Sequence, residues 1–151
     1  MLFRSALMFQ FCGMSFADLA HLEKSSLDSN VLRYNRIKTK TPMSVEVLDT
    51  AKEMINQLRS NQVTPSDCPD YLFDILSGDK KRKDEGAYRE YQSALRKFNN
   101  RLKDLARVLH LNSPVSSYTL RHSWATTAKY RGVPIEMTTS KTNSKIIFQK
   151  F

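Results

Sequence analysis

The longest amphipathic period in the chain runs from Ala87 to Leu111, where Tyr91, Leu95, Phe98, Leu102, Leu105 and Leu109 recur at steps of four and three. At about 100° per residue, these steps hold one apolar stripe on one side of a helix and leave the intervening charged and amide side chains to water. A helix of that length cannot bury its stripe alone, so the remaining chain must supply facing apolar surfaces. With 151 residues, 40% of them hydrophobic, there is enough for one core, and a single globular unit is expected.

Those surfaces are legible on either side. Leu2 to Phe11 reads as an apolar helix that Gly13 breaks. Ser15 with Asp18 three residues on resembles a capping box for a second helix, whose inward face is Phe16, Leu19, Ala20 and Leu22. SSLDSN makes a turn. VLRYNRIK and MSVEVL then alternate, Leu32 and Tyr34 against Val31 and Arg33, and Met43, Val45 and Val47 against Ser44 and Glu46, which predicts two antiparallel strands. The short polar TKTP suits a hairpin whose tip carries Lys38 and Lys40 outward. Asp49 is placed to cap a helix to about Ser60 with Ala51, Met54, Ile55 and Leu58 on one stripe, and YLFDIL reads as a short buried segment. After the long helix, Ser117 caps another, with Trp124, Ala125 and Ala128 as packing surface, ended by Gly132; Pro134 then suits the first turn of a further helix. The pattern is that of a mainly helical α+β fold with a small antiparallel sheet at one edge.

The 24 Lys and Arg against 15 Asp and Glu leave a net charge of +9, a surplus that attracts phosphate backbones by releasing their counterions, so nucleic acid leads the classes of partner. The densest basic run, KKRKDE at 80–85, fits a solvated loop and is assigned no role. Cys12 and Cys68 lack CxxC spacing, and His21, His110 and His122 are scattered singly, which points to neither a disulfide framework nor a zinc site. A reducing cytoplasm fits that usage. The apolar opening MLFRSALMFQFCGMSFADLA is interrupted by Gln10, lacks a small-residue cleavage site and is too short to span a bilayer, so no membrane partner is expected.

The chemistry lies on the helix that begins at Ser117. Tyr118 and Arg121, three apart, share a face, and an arginine there can fork two hydrogen bonds onto a phosphate or pair with a carboxylate of a neighbouring helix. SYTLRHSWATTAKYRGVPIEM resembles the box that carries the second catalytic arginine of the tyrosine recombinase (phage integrase) family, commonly His-x-Leu-Arg-His, and puts Arg121 in that position. GMSFADLAHL resembles the family's first box, and VLRYNRIKTKTPMSVEVL resembles the strand pair presenting its catalytic lysine, which falls on Lys38. The boxes occur in the family's order and cover most of residues 2–137; the wording is closest to integrases of Bacteroides-type mobile elements.

The resemblance implies a recombinase-like catalytic domain acting on double-stranded DNA. A tyrosine attacks the scissile phosphate, two arginines stabilise the charge of the transition state, and a lysine protonates the leaving oxygen. No cofactor is implied, because the protein ester conserves the bond energy. Arg121 and Lys38 take the catalytic positions, and Arg36, Lys40, Tyr118 and His122 are expected to contact DNA.

The chain departs from the pattern at named places. Ser15 stands where the first box usually has arginine, Cys12 where the Bacteroides-type group often has one, and Tyr118 replaces the usual first histidine of the second box. After Met137 the sequence reads TTSKTNSKIIFQKF, with no histidine and no tyrosine, where the family continues to its nucleophile. Residues 1–137 are therefore expected to form a partial recombinase catalytic domain without its C-terminal helices, and 138–151 a divergent tail, as if by a shifted reading frame. The lack of a helical DNA-clamping domain before Met1 likewise suggests truncation at the front. Tyr130, nine residues beyond Arg121, falls roughly opposite it on the helix. The leading expectation is a DNA-binding remnant that does not cleave alone. The alternatives are a subunit completed in trans by a partner's tyrosine, or a module docking on an intact recombinase protomer.

Overall fold

The computed structural model describes residues 2–60, 70–77 and 84–133. In chain order the elements are α1 (Leu2–Gln10), α2 (Phe16–Ala20), a turn of 3₁₀ helix (Lys24–Ser26), β1 (Leu27–Asp28), β2 (Val31–Asn35), β3 (Pro42–Glu46), α3 (Asp49–Ser60), α4 (Glu85–Val108) and α5 (Ser117–Tyr130). This is the α+β class expected. The strands form one antiparallel sheet in the order β1-β2-β3, with Leu32 opposite Val45 and Tyr34 opposite Met43. Leu32, Met43, Val45 and Val47 are buried while Arg33 and Ser44 face out, as the alternation predicts. SSLDSN holds more than a turn, since Leu27 and Asp28 pair with Leu32 and Val31.

Helix α1 lies at the centre. Leu7, Met8 and Phe11 are at most 1% exposed, and α1 packs against both α3 and α5, while α2 packs against α4. Each such side chain removed from water contributes about 1.5–3 kcal/mol. The buried segment after residue 69 joins this core through its backbone: Lys24 N donates to Asp70 O at 2.9 Å, Leu72 N donates to Leu22 O at 2.7 Å, and Leu72 and Phe73 fill the interior. Beside it Arg4, half-buried, donates from Nη2 to the Asp74 carbonyl at 3.1 Å.

The helix ends correct the sequence reading by a few residues. Ser116, not Ser117, caps α5, and Asp49 is the first residue of α3 rather than its cap. Helix α4 starts from the Asp84 cap and stops at Val108, short of Leu111. His110 turns left-handed there (φ +52°), and the bonds His110 N to Arg107 O and Leu111 N to Ala106 O close a Schellman motif without glycine. Leu109 and Leu111 therefore leave the stripe and are exposed, and Ala125 of α5 is exposed rather than packed. At the end of α5, Gly132 (φ +68°) makes the same closure, with Val133 N reaching Ala128 O at 3.0 Å. Among the described residues no helix is long and apolar enough to cross a membrane. Cys68, Lys80–Lys83, the helix start at Pro134 and the tail from 138 lie outside the described residues.

Candidate nucleic-acid interface

Two elements separated by some eighty residues of chain meet at the N-terminus of α2, and local sequence explains how each is held. Helix α5 is fixed at its start by a reciprocal cap, Ser116 Oγ accepting from Thr119 N at 3.3 Å while Thr119 Oγ1 accepts from Ser116 N at 3.2 Å. Helix α4 adds a third tie, because Asn99 Oδ1 accepts from Ser117 N at 2.9 Å. The inner face of α5 carries Trp124 and Ala128, both buried. Trp124 lies flat against the α1–α2 turn at Gly13, where a Cβ would sit 3.1 Å from Cε3.

One turn before Trp124, Arg121 reaches the same junction. Its Nη1 donates to the Gly13 carbonyl at 2.9 Å, and its side chain is half-buried. It lines a cleft of about 140 Å³ with Ser15, Phe16, Ala17, Tyr91, Leu95, Ser117 and Tyr118. Burial lowers the proton affinity of its guanidinium, and the charge of Arg36 lowers it further; Asp18 opposes both, as do Tyr34 and Tyr118. An arginine so shifted remains charged. Its head is aimed by one carbonyl, and among the described residues it makes no salt bridge to an Asp or Glu of a neighbouring helix, the ordinary structural use of such a residue. Tyr118 is 67% exposed at the rim, its ring edge-on to exposed His122 with centroids 4.2 Å apart.

The second element is the β2–β3 hairpin. Arg36 N donates to Thr41 O and Lys40 N to Arg36 O, at 2.9 and 2.8 Å, and Lys40 adopts φ +55° to close the turn. The turn is tied to α2 through Asp18, the one buried charged residue among the described residues, at 6% exposure. Its Oδ1 accepts from Ile37 N at 2.9 Å and its Oδ2 from Ser15 Oγ at 2.7 Å. Half of the expected capping box is therefore present: Ser15 Oγ accepts from Asp18 N at 3.1 Å, but the carboxylate takes the Ser15 hydroxyl and the Ile37 amide of the hairpin in place of the Ser15 backbone amide. The bond to Ile37 also holds its neighbour Arg36, which is half-buried, whose Nε is enclosed without a hydrogen-bond partner among the described residues, and whose charge acts on Arg121. Lys38 and Lys40 stand exposed on the turn, and among the described residues neither side chain makes a hydrogen bond or ion pair.

Of the residues singled out in the sequence, Arg121 and Tyr118 line this cleft, Arg36 acts on Arg121 through its charge from the hairpin, and His122 sits edge-on against Tyr118 at the rim. Lys38 and Lys40 are exposed on the hairpin turn and are not among the residues that line the cleft. Ser15, which stands where the family resemblance calls for an arginine, lines the same cleft as Arg121 and supplies no charge there. Sequence reasoning missed Asn99, the Gly13 carbonyl and the outward role of Asp18. Only Asp18 carried a signal, an acidic residue on a helix face otherwise made of core side chains.

Cys12, also flagged by the resemblance, is buried, and burial pushes its thiol up to about 12 against the opposing pull of Arg36. Tyr34, packed beneath the hairpin, is raised by burial and by Asp18. Both hydroxyl and thiol are thus held neutral although the charge of Arg36 acts on each.

No curated protein matches the chain. The family model described as the phage integrase family does, over residues 3–139, a span that contains all of α1 but its first residue, α2 through α5, and the hairpin with Arg36 and Lys38. That match covers most of the sequence, and the chain belongs to the phage integrase family, the tyrosine recombinases.

Proposed function

We propose that this chain is a DNA-binding module of site-specific tyrosine recombination, one that grips the phosphate backbone with Arg121 and the hairpin cations and does not cleave alone. Membership of the family supports the recombination role and implies DNA as partner. The observation that carries the reading is Arg121: a half-buried guanidinium, aimed by the Gly13 carbonyl into a cleft, with a second arginine rather than a carboxylate as its strongest charged neighbour. Such a group suits a phosphate oxygen, which supplies the missing negative charge. Arg121 and Lys38 take the catalytic positions of the family, Arg36 and Lys40 extend the contact along the backbone, and Tyr118 and His122 offer donors at the rim.

The position of Tyr130 supports the reading that these residues do not cleave alone. Beyond Arg121 the sequence has only Tyr130, which is 86% exposed and half a turn away from Arg121 around α5. Titration of a labelled duplex at two salt concentrations tests the reading. Wild type is expected to bind with a steep salt dependence, and Arg121→Ala and Lys38→Ala each to reduce the slope by about one phosphate contact. A folded protein whose duplex binding is absent or indifferent to salt would overturn it.

One observation favours a second reading, in which the chain docks on an intact recombinase protomer. Val108, Leu109 and Leu111 form an exposed apolar group at the end of α4, between 52% and 74% exposed. A partner covering them would give a complex of defined stoichiometry in size exclusion, and a protomer that lent its tyrosine in trans would leave protein covalently attached to DNA only in the mixture.

A further inference from the structure

Helix α4 carries a second stripe one residue behind its apolar one. Glu90, Ala94, Lys97 and Arg101 recur at the same steps as Tyr91, Leu95, Phe98 and Leu102, so they flank the buried face along its length. This flank borders a cavity of about 380 Å³, whose other side is made by Arg4 of α1 and the segment Asp74–Ile75. The cavity and the Arg121 cleft have one lining residue in common, Phe16.

The charges around the cavity are not matched. Arg4, Lys97 and Arg101 line it against two carboxylates, Asp74 and Glu90. Glu90 is already engaged, its Oε1 accepting from both the amide and the hydroxyl of Ser77. Asp74 meets Arg4 through its backbone carbonyl, and among the described residues none of the three cations forms an ion pair. Arg4 Nε is enclosed without a hydrogen-bond partner. Burial lowers the proton affinity of this guanidinium, the charge of Asp74 raises it and that of Arg101 lowers it again, and the group stays cationic. Pinning the Asp74 segment explains one of the five donors of Arg4. It does not explain why two more cations of α4 border the same space.

We propose that this cavity binds a small organic acid, a single carboxylate on an apolar body, with the carboxylate taken by Arg4 and Arg101 and the body laid on Ile75, Ala94 and Phe98. The surplus of one positive charge suits a monoanion, and guanidinium groups offer it paired donors. A phosphate dianion would bring its second charge against Asp74 and Glu90. The volume, the apolar floor and the few polar groups are those of a small-molecule site. Half-buried Arg4 supplies the deeper contact, and exposed Lys97 adds attraction at the mouth. The site is independent of the DNA-binding reading.

The test is a calorimetric titration of the whole chain with hydrocinnamate, beside its amide, which keeps the body without the charge, and acetate, which keeps the charge without the body. Hydrocinnamate is expected to bind about tenfold or more tightly than either. Arg4→Gln and Arg101→Gln are each expected to weaken it by about fivefold or more, while Arg96→Gln, which removes the same charge from α4 outside the cavity, stays within about twofold. Arg4→Gln also frees the Asp74 segment, so the exposed Arg101→Gln change is decisive. Its thermal midpoint without ligand should equal that of wild type, and the rise that hydrocinnamate gives wild type should shrink in it. Equal affinities for acid and amide, an Arg101→Gln affinity within about twofold of wild type, or no saturation by about 10 mM acid would overturn the proposal.

Discussion

Gly13 serves packing and chemistry through two different atoms. Its Cα lies against Trp124, where a methyl group would meet the ring at 3.1 Å, and its carbonyl aims Arg121. Its φ of +67° adds a backbone demand that other residues meet only with strain. Gly13→Ala is expected to cost about 1–3 kcal/mol in urea unfolding, and to weaken duplex binding as well, since the carbonyl moves with the turn. Its neighbour Cys12 makes a prediction of opposite visibility, silent at neutral pH. The thiol is raised in the folded state to about 12, so above about pH 9 the unfolded chain ionises first, binds fewer protons and gains on the native state. Stability present below pH 9 is therefore lost as pH rises toward the folded value. In a Cys68→Ser background, wild type should lose up to about 2 kcal/mol relative to Cys12→Ala between neutral pH and about pH 10.5. Native Cys12 should also resist alkylation until denaturant is added. Equal slopes for the two proteins, or rapid alkylation of the native thiol, would count against this picture of the turn.

At the scale of elements the hairpin and α2 behave as one unit because of a carboxylate. Asp18→Asn keeps the shape of the side chain but replaces one oxygen with an amide that cannot accept from Ile37 N or Ser15 Oγ, so one buried donor loses its partner. The expected cost is about 1–3 kcal/mol, with faster amide exchange at Ile37 and in β2 than in α4, read by hydrogen exchange. Uniform acceleration across the chain would mean that Asp18 supports the core and not the hairpin specifically. The sequence showed every helix and both long strands, because 3.6- and 2-residue periods are set by the core they face. It was less informative where an end is fixed by side chains several elements away. Ser116 and Ser117 are equivalent caps on paper, and Asn99 decides between them by binding the Ser117 amide. Leu109 continues the stripe in sequence, yet His110 takes the left-handed turn that ends the helix before it. Nothing in the spacing of Ser15 and Asp18 announces that the carboxylate leaves its own helix to hold Ile37.

In the whole molecule, the three family boxes fold to a common junction. The first box gives the Gly13 turn and Asp18, the strand pair gives Arg36 and Lys38, and the last gives Arg121, with α1 as the buried element against which α5 rests. That convergence could be anticipated only through the resemblance, since no local pattern states that residues 15 and 121 share a cleft or that Asp18 holds residue 37. The partner of Arg121 could not be read from its helix: a phosphate and a carboxylate of a neighbouring helix both fit its place there. The net charge of +9 is likewise indifferent to where it acts. The account locates its effect, and a charge-matched comparison checks that location. Fluorescence anisotropy of a labelled duplex with Arg121→Ala and with Lys103→Ala, an exposed lysine of α4, removes one positive charge in each case. The account predicts that Arg121→Ala weakens binding by about tenfold or more, while Lys103→Ala stays within about twofold. Equal losses in the two variants would mean that DNA senses only the overall charge, and would contradict a phosphate surface built around Arg121.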